Sequence, residues 1–230
     1  MKKFKGIILD LDDTLYDYKS VNKIALSYTF EQISKRTGIT FTEVEHHFFA
    51  ARSQINTELD RTASSHNRLL YFQRMYEMMK LNPVHHALET YDHYWNTLLE
   101  HIHINESVYE FLDSIKDKKI CILTDLTAHI QHRKIKKLGL ESYIDYLVTS
   151  EEAGREKPHP YMFLLAVQKM SLSLSEVCMI GDSYTKDILG AQRVNIEAFF
   201  FNPENQNVQT STTIHSFCNF NELINMEMTI

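Results

Sequence analysis

Five short apolar runs set the limits on what this chain can fold into: Gly6–Leu9, Lys119–Leu123, Tyr146–Thr149, Val177–Ile180 and Ala198–Phe201. They are rich in branched and aromatic residues and show little alternation, so they read as strands buried on both faces of a parallel sheet. Helical patterns separate the later runs. Ser107–Lys118 precedes the second, and Ala128–Leu138 follows it with Gly139 in the place of a helix stop. Tyr161–Met170 follows Pro158 and Pro160, and Lys186–Arg193 follows the fourth run. Strand and helix alternating at this spacing predict an α/β fold with a doubly wound parallel sheet.

Between the first and second runs lies a long block with no strand-like segment. Val21, Ile24, Ala25, Tyr28 and Ile33 recur at near-helical spacing, as do Val44, Phe48, Ala51 and Ile55. Leu69, Phe72, Tyr76 and Met79 repeat the pattern, then Leu88, Tyr91, Trp95 and Leu98. About four amphipathic helices are expected, with breaks near Gly38, at Thr62–His66 and at Asn82-Pro83. The expected plan is a core of residues 1–16 and 104–230 with an all-helical insertion at 17–103. An insertion that begins at a strand tip is placed to become a lid over it, rather than only to enlarge the core.

The net charge of −6 offers no basic field for nucleic acid or an anionic membrane. No apolar run approaches the roughly 20 residues of a membrane span. Met1-Lys2-Lys3-Phe4-Lys5 is basic, but the apolar segment behind it is short and ends in acids, so no targeting peptide is expected. Cys121, Cys178 and Cys218 form no Cys-x-x-Cys pair, which fits a reducing cytoplasm. The histidines, among them His46-His47, His85-His86 and His101-x-His103, never pair at i, i+4, and no zinc site is expected. The tail from about Pro203 is polar and weakly patterned; Phe217, Phe220 and Leu223 suit a short terminal helix on the core.

The chemistry is expected at the strand ends. The first run stops at Asp10, with Asp12, Asp13 and Thr14 close behind. An isolated Asp-x-Asp is equally well a turn with a helix cap. The later runs repeat the theme: Thr124-Asp125 ends the second, and Gly181-Asp182-Ser183 ends the fourth, with Asp187 five residues past Asp182. Lys157 stands just ahead of two prolines. Parallel strands bring such tips to one crevice. Asp10, Asp12, Thr124, Lys157, Asp182 and Asp187 together suit phosphoryl transfer. Clustered carboxylates suit Mg²⁺, a carboxylate can attack phosphorus, and a hydroxyl and an ammonium can hold phosphoryl oxygens. A second carboxyl two residues from the attacker can carry the proton.

Four segments resemble, in order, the motifs of haloacid dehalogenase-like (HAD) superfamily hydrolases. They are Asp10-Leu11-Asp12-Asp13-Thr14, Leu123-Thr124-Asp125, Lys157-Pro158-His159-Pro160 and Gly181-Asp182-Ser183-Tyr184-Thr185-Lys186-Asp187. The resemblance runs from Lys5 to about Asn202, and the insertion is similar to the helical C1 cap of subfamily I on a Rossmann-like core. It implies that Asp10 is the nucleophile and a Mg²⁺ ligand. Asp12 would be the general acid/base, with its backbone carbonyl a further ligand. Asp182 would bind the metal directly, and Asp187 would act through water or support the ligand shell. Thr124 and Lys157 would hold the phosphoryl group. Asp13 receives no fixed role.

The expected activity is a Mg²⁺-dependent phosphatase for a small phosphorylated metabolite, a sugar phosphate or nucleoside monophosphate, acting through an aspartyl-phosphate. A phosphomutase is the nearest alternative. A 2-haloacid dehalogenase needs neither Asp12 nor a metal, and a non-catalytic protein of this fold would be expected to lack a motif residue. Specificity is expected in the insertion, from Arg61, Asn67 or Arg68, although a solvated interhelical loop explains that segment as well. The chain is expected to work as a monomer or homodimer.

Overall fold

The computed structural model describes residues 3–60, 62–104 and 106–228. The chain divides into two compact units, one of Tyr18–Ile102 and one of Met1–Asp17 with His103–Ile230.

The first unit is helical: α1 (Tyr18–Thr37), α2 (Phe41–Glu58), α3 (Arg68–Met78) and α4 (Pro83–His101), with a 3-10 turn at Ala63–His66. Its helices start where the sequence supplies caps. The Thr40 hydroxyl accepts from the Glu43 amide while Glu43 reaches back to the Thr40 amide, and Asn82 caps α4 ahead of Pro83. The core is aromatic: Phe30, Phe48, Tyr71, Phe72, Tyr76, Tyr94 and Trp95 are all buried. Ile24, Tyr28 and Leu88, expected on the apolar faces, are exposed.

The other unit holds a six-stranded sheet of β1 (Gly6–Leu9), β2 (Lys119–Thr124), β3 (Tyr146–Thr149), β4 (Val177–Gly181), β5 (Glu197–Phe201) and β6 (Ile214–Phe217). The order is β3-β2-β1-β4-β5-β6, and every pairing is parallel. Its helices are α5 (Glu106–Ser114), α6 (Ala128–Lys137), α7 (Ser150–Ala153), α8 (Pro160–Met170), α9 (Leu189–Gln192) and α10 (Phe220–Met228). The sixth strand was not expected. Ile-His-Ser-Phe lacks a continuous apolar run because only Ile214 and Phe217 are buried in this edge strand. Beyond it, the Phe220 ring of α10 packs at a tilt against Phe111 and Phe201, with ring centres 5.3 Å apart in each pair. The helix expected over Lys186–Arg193 is a π turn at Tyr184–Ile188 running into α9. There the amides of Asp187 and Ile188 both bond the Ser183 carbonyl, at 2.8 and 3.3 Å, which widens the turn.

From β1 the chain fills one side of the sheet with β2 and β3, then the other with β4, β5 and β6. The switch point therefore lies at the C-terminal end of β1, between β2 and β4. Leu9 is level with Ile122 and with Ile180. The residues just beyond it, Asp10, Thr124 and Asp182, thus emerge side by side. No helix among the described residues is long and apolar enough to cross a membrane.

Candidate active site

Asp10 is buried at the tip of β1, and its amide donates to the Ile180 carbonyl at 2.9 Å. Its Oδ2 accepts from the Thr14 hydroxyl at 2.9 Å, and its Oδ1 accepts from Lys157 Nζ at 2.5 Å. The same ammonium donates to Asp187 Oδ1 at 2.7 Å. Lys157 follows α7 and is joined to Pro158 by a cis peptide. Asp187 comes from the π turn after β4, is fully buried, and accepts from the Ser183 amide at 3.0 Å. Its approach requires the glycine at 181, since a Cβ there would meet Asp187 Oδ2 at 2.5 Å.

Carboxylate oxygens of Asp10, Asp182 and Asp187 lie within 4.8 Å of one another. Three acids at that spacing work against each other's charge. Burial first, and then the neighbouring carboxylates, hold Asp10 well above the usual carboxylate range despite Lys157. The same causes push Asp182 up to about 6. The cluster offers only hard oxygen donors, fitting a small divalent cation such as Mg²⁺ and not a thiol- or imidazole-seeking metal.

Asp12 occupies a different environment. Burial by itself would raise its carboxyl, but Lys134, Tyr16 and Gln131 outweigh burial and hold it below the ordinary value. Lys134 Nζ bonds both of its oxygens, at 2.7 and 2.8 Å, and the Tyr16 hydroxyl donates to Oδ1. Asp10 and Asp12, two residues apart, are thus driven in opposite directions: without a cation the Asp10 carboxyl favours its neutral form and the Asp12 carboxyl its ionised form.

Thr124, at the end of β2, is 1% exposed and accepts from Gln131 Nε2 at 2.7 Å. Asp125 ties the loops together, accepting from the Lys157 amide at 3.1 Å and from Lys186 Nζ at 2.8 Å. Asp13 has φ of 64°, in the left-handed region that Asp tolerates better than most residues. It lies in the turn that the Leu15 amide closes onto the Leu11 carbonyl at 3.0 Å.

The structure therefore brings together Asp10, Asp12, Thr124, Lys157, Asp182 and Asp187. Sequence reasoning missed Gln131 and Lys134, and named Asp125 at its strand end without giving it a role. A signal was present for the first two: they fall on the stripe of Ile130, Ile135 and Leu138, where α6 faces the core.

The residues expected to set specificity lie in the helical unit, and Arg61 falls outside the described residues. The Asn67 side chain caps α3, accepting from the Leu69 amide at 2.9 Å. Arg68 is buried. Its guanidinium donates to the His66 carbonyl at 2.8 Å and to the Tyr18 hydroxyl, and lies 5.2 Å from the centre of the Tyr71 ring. Among the described residues no carboxylate pairs with it.

Comparison with known proteins gives a consistent result. Residues 4–195 match the family model of the haloacid dehalogenase-like hydrolases. The chain is 34% identical over 215 residues to a ribulose-1,5-bisphosphate 5-phosphatase of Halopiger xanaduensis, covering 90% of this chain and 88% of that protein. It is 25% identical to a glyceraldehyde 3-phosphate phosphatase of Methanothermobacter thermautotrophicus, covering 87% of this chain and 86% of that one. Among solved structures, a 2-haloacid dehalogenase from Pseudomonas syringae shares the fold with a TM-score of 0.76 at 20% identity, covering 98% of this chain and all of the other.

Proposed function

The chain belongs to the haloacid dehalogenase-like hydrolases, and on that premise we propose that it is a Mg²⁺-dependent phosphatase of a small phosphorylated metabolite. The observation that carries this reading is the ammonium of Lys157 held between Asp10 and Asp187, with Asp182 completing the acid cluster. It provides an attacking carboxylate, a cation for phosphoryl oxygens and a hard-oxygen metal site in one place. The relatives named for phosphatase activity on small sugar phosphates support the same class.

In this reading a cation at the acid cluster would favour the ionised Asp10, whose oxygen attacks phosphorus as the bond to the leaving oxygen breaks; Asp12, which must first take up a proton against the pull of Lys134, passes it to the leaving oxygen. Water then attacks the aspartyl-phosphate, giving its proton to Asp12 and freeing Asp10 with inorganic phosphate. Lys157 and the Thr124 hydroxyl hold the phosphoryl oxygens as charge builds on them. Asp10, Asp182, Asp187 and the Asp12 carbonyl would hold Mg²⁺, which when bound offsets the charge of acids and phosphate together. A halide-releasing enzyme would have no use for the acid cluster or for a second carboxyl on its own buried ammonium.

The helical unit is assigned the role of cap, and Arg61, Asn67 and Arg68 the part of the substrate beyond the phosphoryl group. The buried guanidinium, with no carboxylate on it among the described residues, favours substrates with a second anionic group, as a counter-charge would offset its desolvation. The test is phosphate release from p-nitrophenyl phosphate and a panel of mono- and bisphosphates with Mg²⁺ present. Free phosphate is expected. Isomerised sugar phosphate without free phosphate would point to a phosphomutase, and full activity in Asp10→Asn would overturn the mechanism.

A further inference from the structure

A threonine hydroxyl can hold an anion only if its single hydrogen is free to point at it, and α6 contains a group that fixes this. Gln131 is fully buried, and its Nε2 lies 2.7 Å from Thr124 Oγ1, 2.7 Å from the Asp125 carbonyl oxygen and, at the long distance of 3.4 Å, from Asp12 Oδ2. A carbonyl only accepts, so the nitrogen end of the amide must face Asp125. The same nitrogen therefore donates to Thr124, which acts as acceptor in that bond. The Thr124 hydrogen must then turn elsewhere. Its one acceptor among the described residues is that same Asp125 oxygen, at 3.3 Å, a long contact to an atom the amide already serves. The Gln131 Oε1 atom, meanwhile, is buried with no partner among the described residues. Leaving an acceptor unsatisfied is costly, so the amide donors, and not a complete set of bonds, account for this residue.

We propose that Gln131 is a positioning residue that commits the Thr124 hydroxyl to donate, and so sets the site to accept phosphoryl oxygens. This rests on the reading of Thr124 as a phosphoryl ligand. Without the amide, the hydroxyl is free to rotate and turn its lone pairs toward the bound anion.

The experiment measures competitive inhibition by inorganic phosphate, alongside kcat/KM for p-nitrophenyl phosphate, in Gln131→Met, Thr124→Ala and the double variant. Gln131→Met is expected to raise the inhibition constant about tenfold, the scale of one hydrogen bond to a charged group. In the Thr124→Ala background the same change is expected to move it less than about twofold, as for residues acting through one another. Gln131→Asn keeps the amide one methylene short; it is expected to shift the constant less, in the same direction, and it serves if the methionine variant does not fold. An unchanged constant in both Gln131 variants, or a full shift persisting without Thr124, would overturn the proposal. Thr124→Ala alone tests the underlying reading: if it binds phosphate as tightly as the unaltered protein, Thr124 is not a phosphoryl ligand.

Discussion

Among the described residues, the sheet-bearing unit buries two ammonium groups, Lys134 and Lys157, and gives each a carboxylate within 2.7 Å. The helical unit buries one guanidinium, Arg68, and surrounds it with hydroxyls, a carbonyl and an aromatic ring. Matched buried charges add little net stability, because desolvation consumes most of the Coulomb gain, yet removing one partner is severe. The sheet-bearing unit has therefore kept an arrangement that is fragile to alter and worth retaining for what it does. The helical unit keeps a buried cation that no carboxylate among the described residues matches.

The contrast breaks most visibly at the acids. Asp10→Asn is expected to abolish phosphate release in the Mg²⁺ assay while leaving circular dichroism and cation-independent folding intact. Asp12→Asn is expected to lower kcat by ~10²–10⁴, the usual worth of a positioned proton carrier. Lys134→Met strands a carboxylate whose side chain is only 21% exposed, and a melting-point loss equivalent to ~3 kcal/mol is expected, at the low end for broken buried pairs. Lys5→Met supplies the control: its partner Glu176 is 2.5 Å away, but Lys5 is 69% exposed, and the loss should stay below ~1 kcal/mol. Equal losses in the two variants would erase the distinction between matched buried charge and surface pairing.

How far the sequence shows all this depends on which signal each group leaves. The central strands are legible because strands covered on both faces must be continuously apolar, and their tips are legible because polar residues end them abruptly. β6 is not, since an edge strand with two buried residues leaves no run. Lys157 and Asp187 are legible as members of an ordered series, but their shared hydrogen bond is not, because it joins a loop before α8 to the π turn after β4. Gln131 and Lys134 escape for the opposite reason. On a helix that otherwise reads as amphipathic, a lysine at a core position resembles an imperfection of the stripe until a partner is found across the sheet. Asp13 shows a further limit: its positive φ, which Asp tolerates better than most residues, is a demand of the turn that no pattern of residue types reveals.

The acid cluster also predicts how stability responds to pH and metal. In the metal-free protein, Asp182, at about 6, and Asp10, higher than usual, hold protons more tightly than their unfolded counterparts do. Their contribution is therefore greatest below the unfolded carboxylate range. It falls as pH rises from about 4 through 6. A divalent cation binds the ionised form and opposes this loss. Melting curves in EDTA should thus decline between pH 5 and pH 7, and saturating Mg²⁺ should raise the midpoint more at pH 7 than at pH 5, by ~5 °C at the higher pH. A Mg²⁺ effect of the same size at both values would mean that the cation binds elsewhere.

Arg68 gives the smallest and most discriminating outcome. If its burial were a matter of packing, Arg68→Met, similar in length and without charge, would leave the protein as stable or more so, with no change in substrate ranking. If the guanidinium answers an anion on the substrate, stability should again hold or rise, but the ranking must move. The ratio of kcat/KM for a sugar bisphosphate to that for p-nitrophenyl phosphate is expected to fall about tenfold, the worth of one charge-assisted bond. Stability alone cannot separate the two readings, because both predict that an unmatched buried cation costs the fold something. The ratio can, since a packing defect lowers both substrates together while a lost counter-charge lowers only the one that carried the second anion.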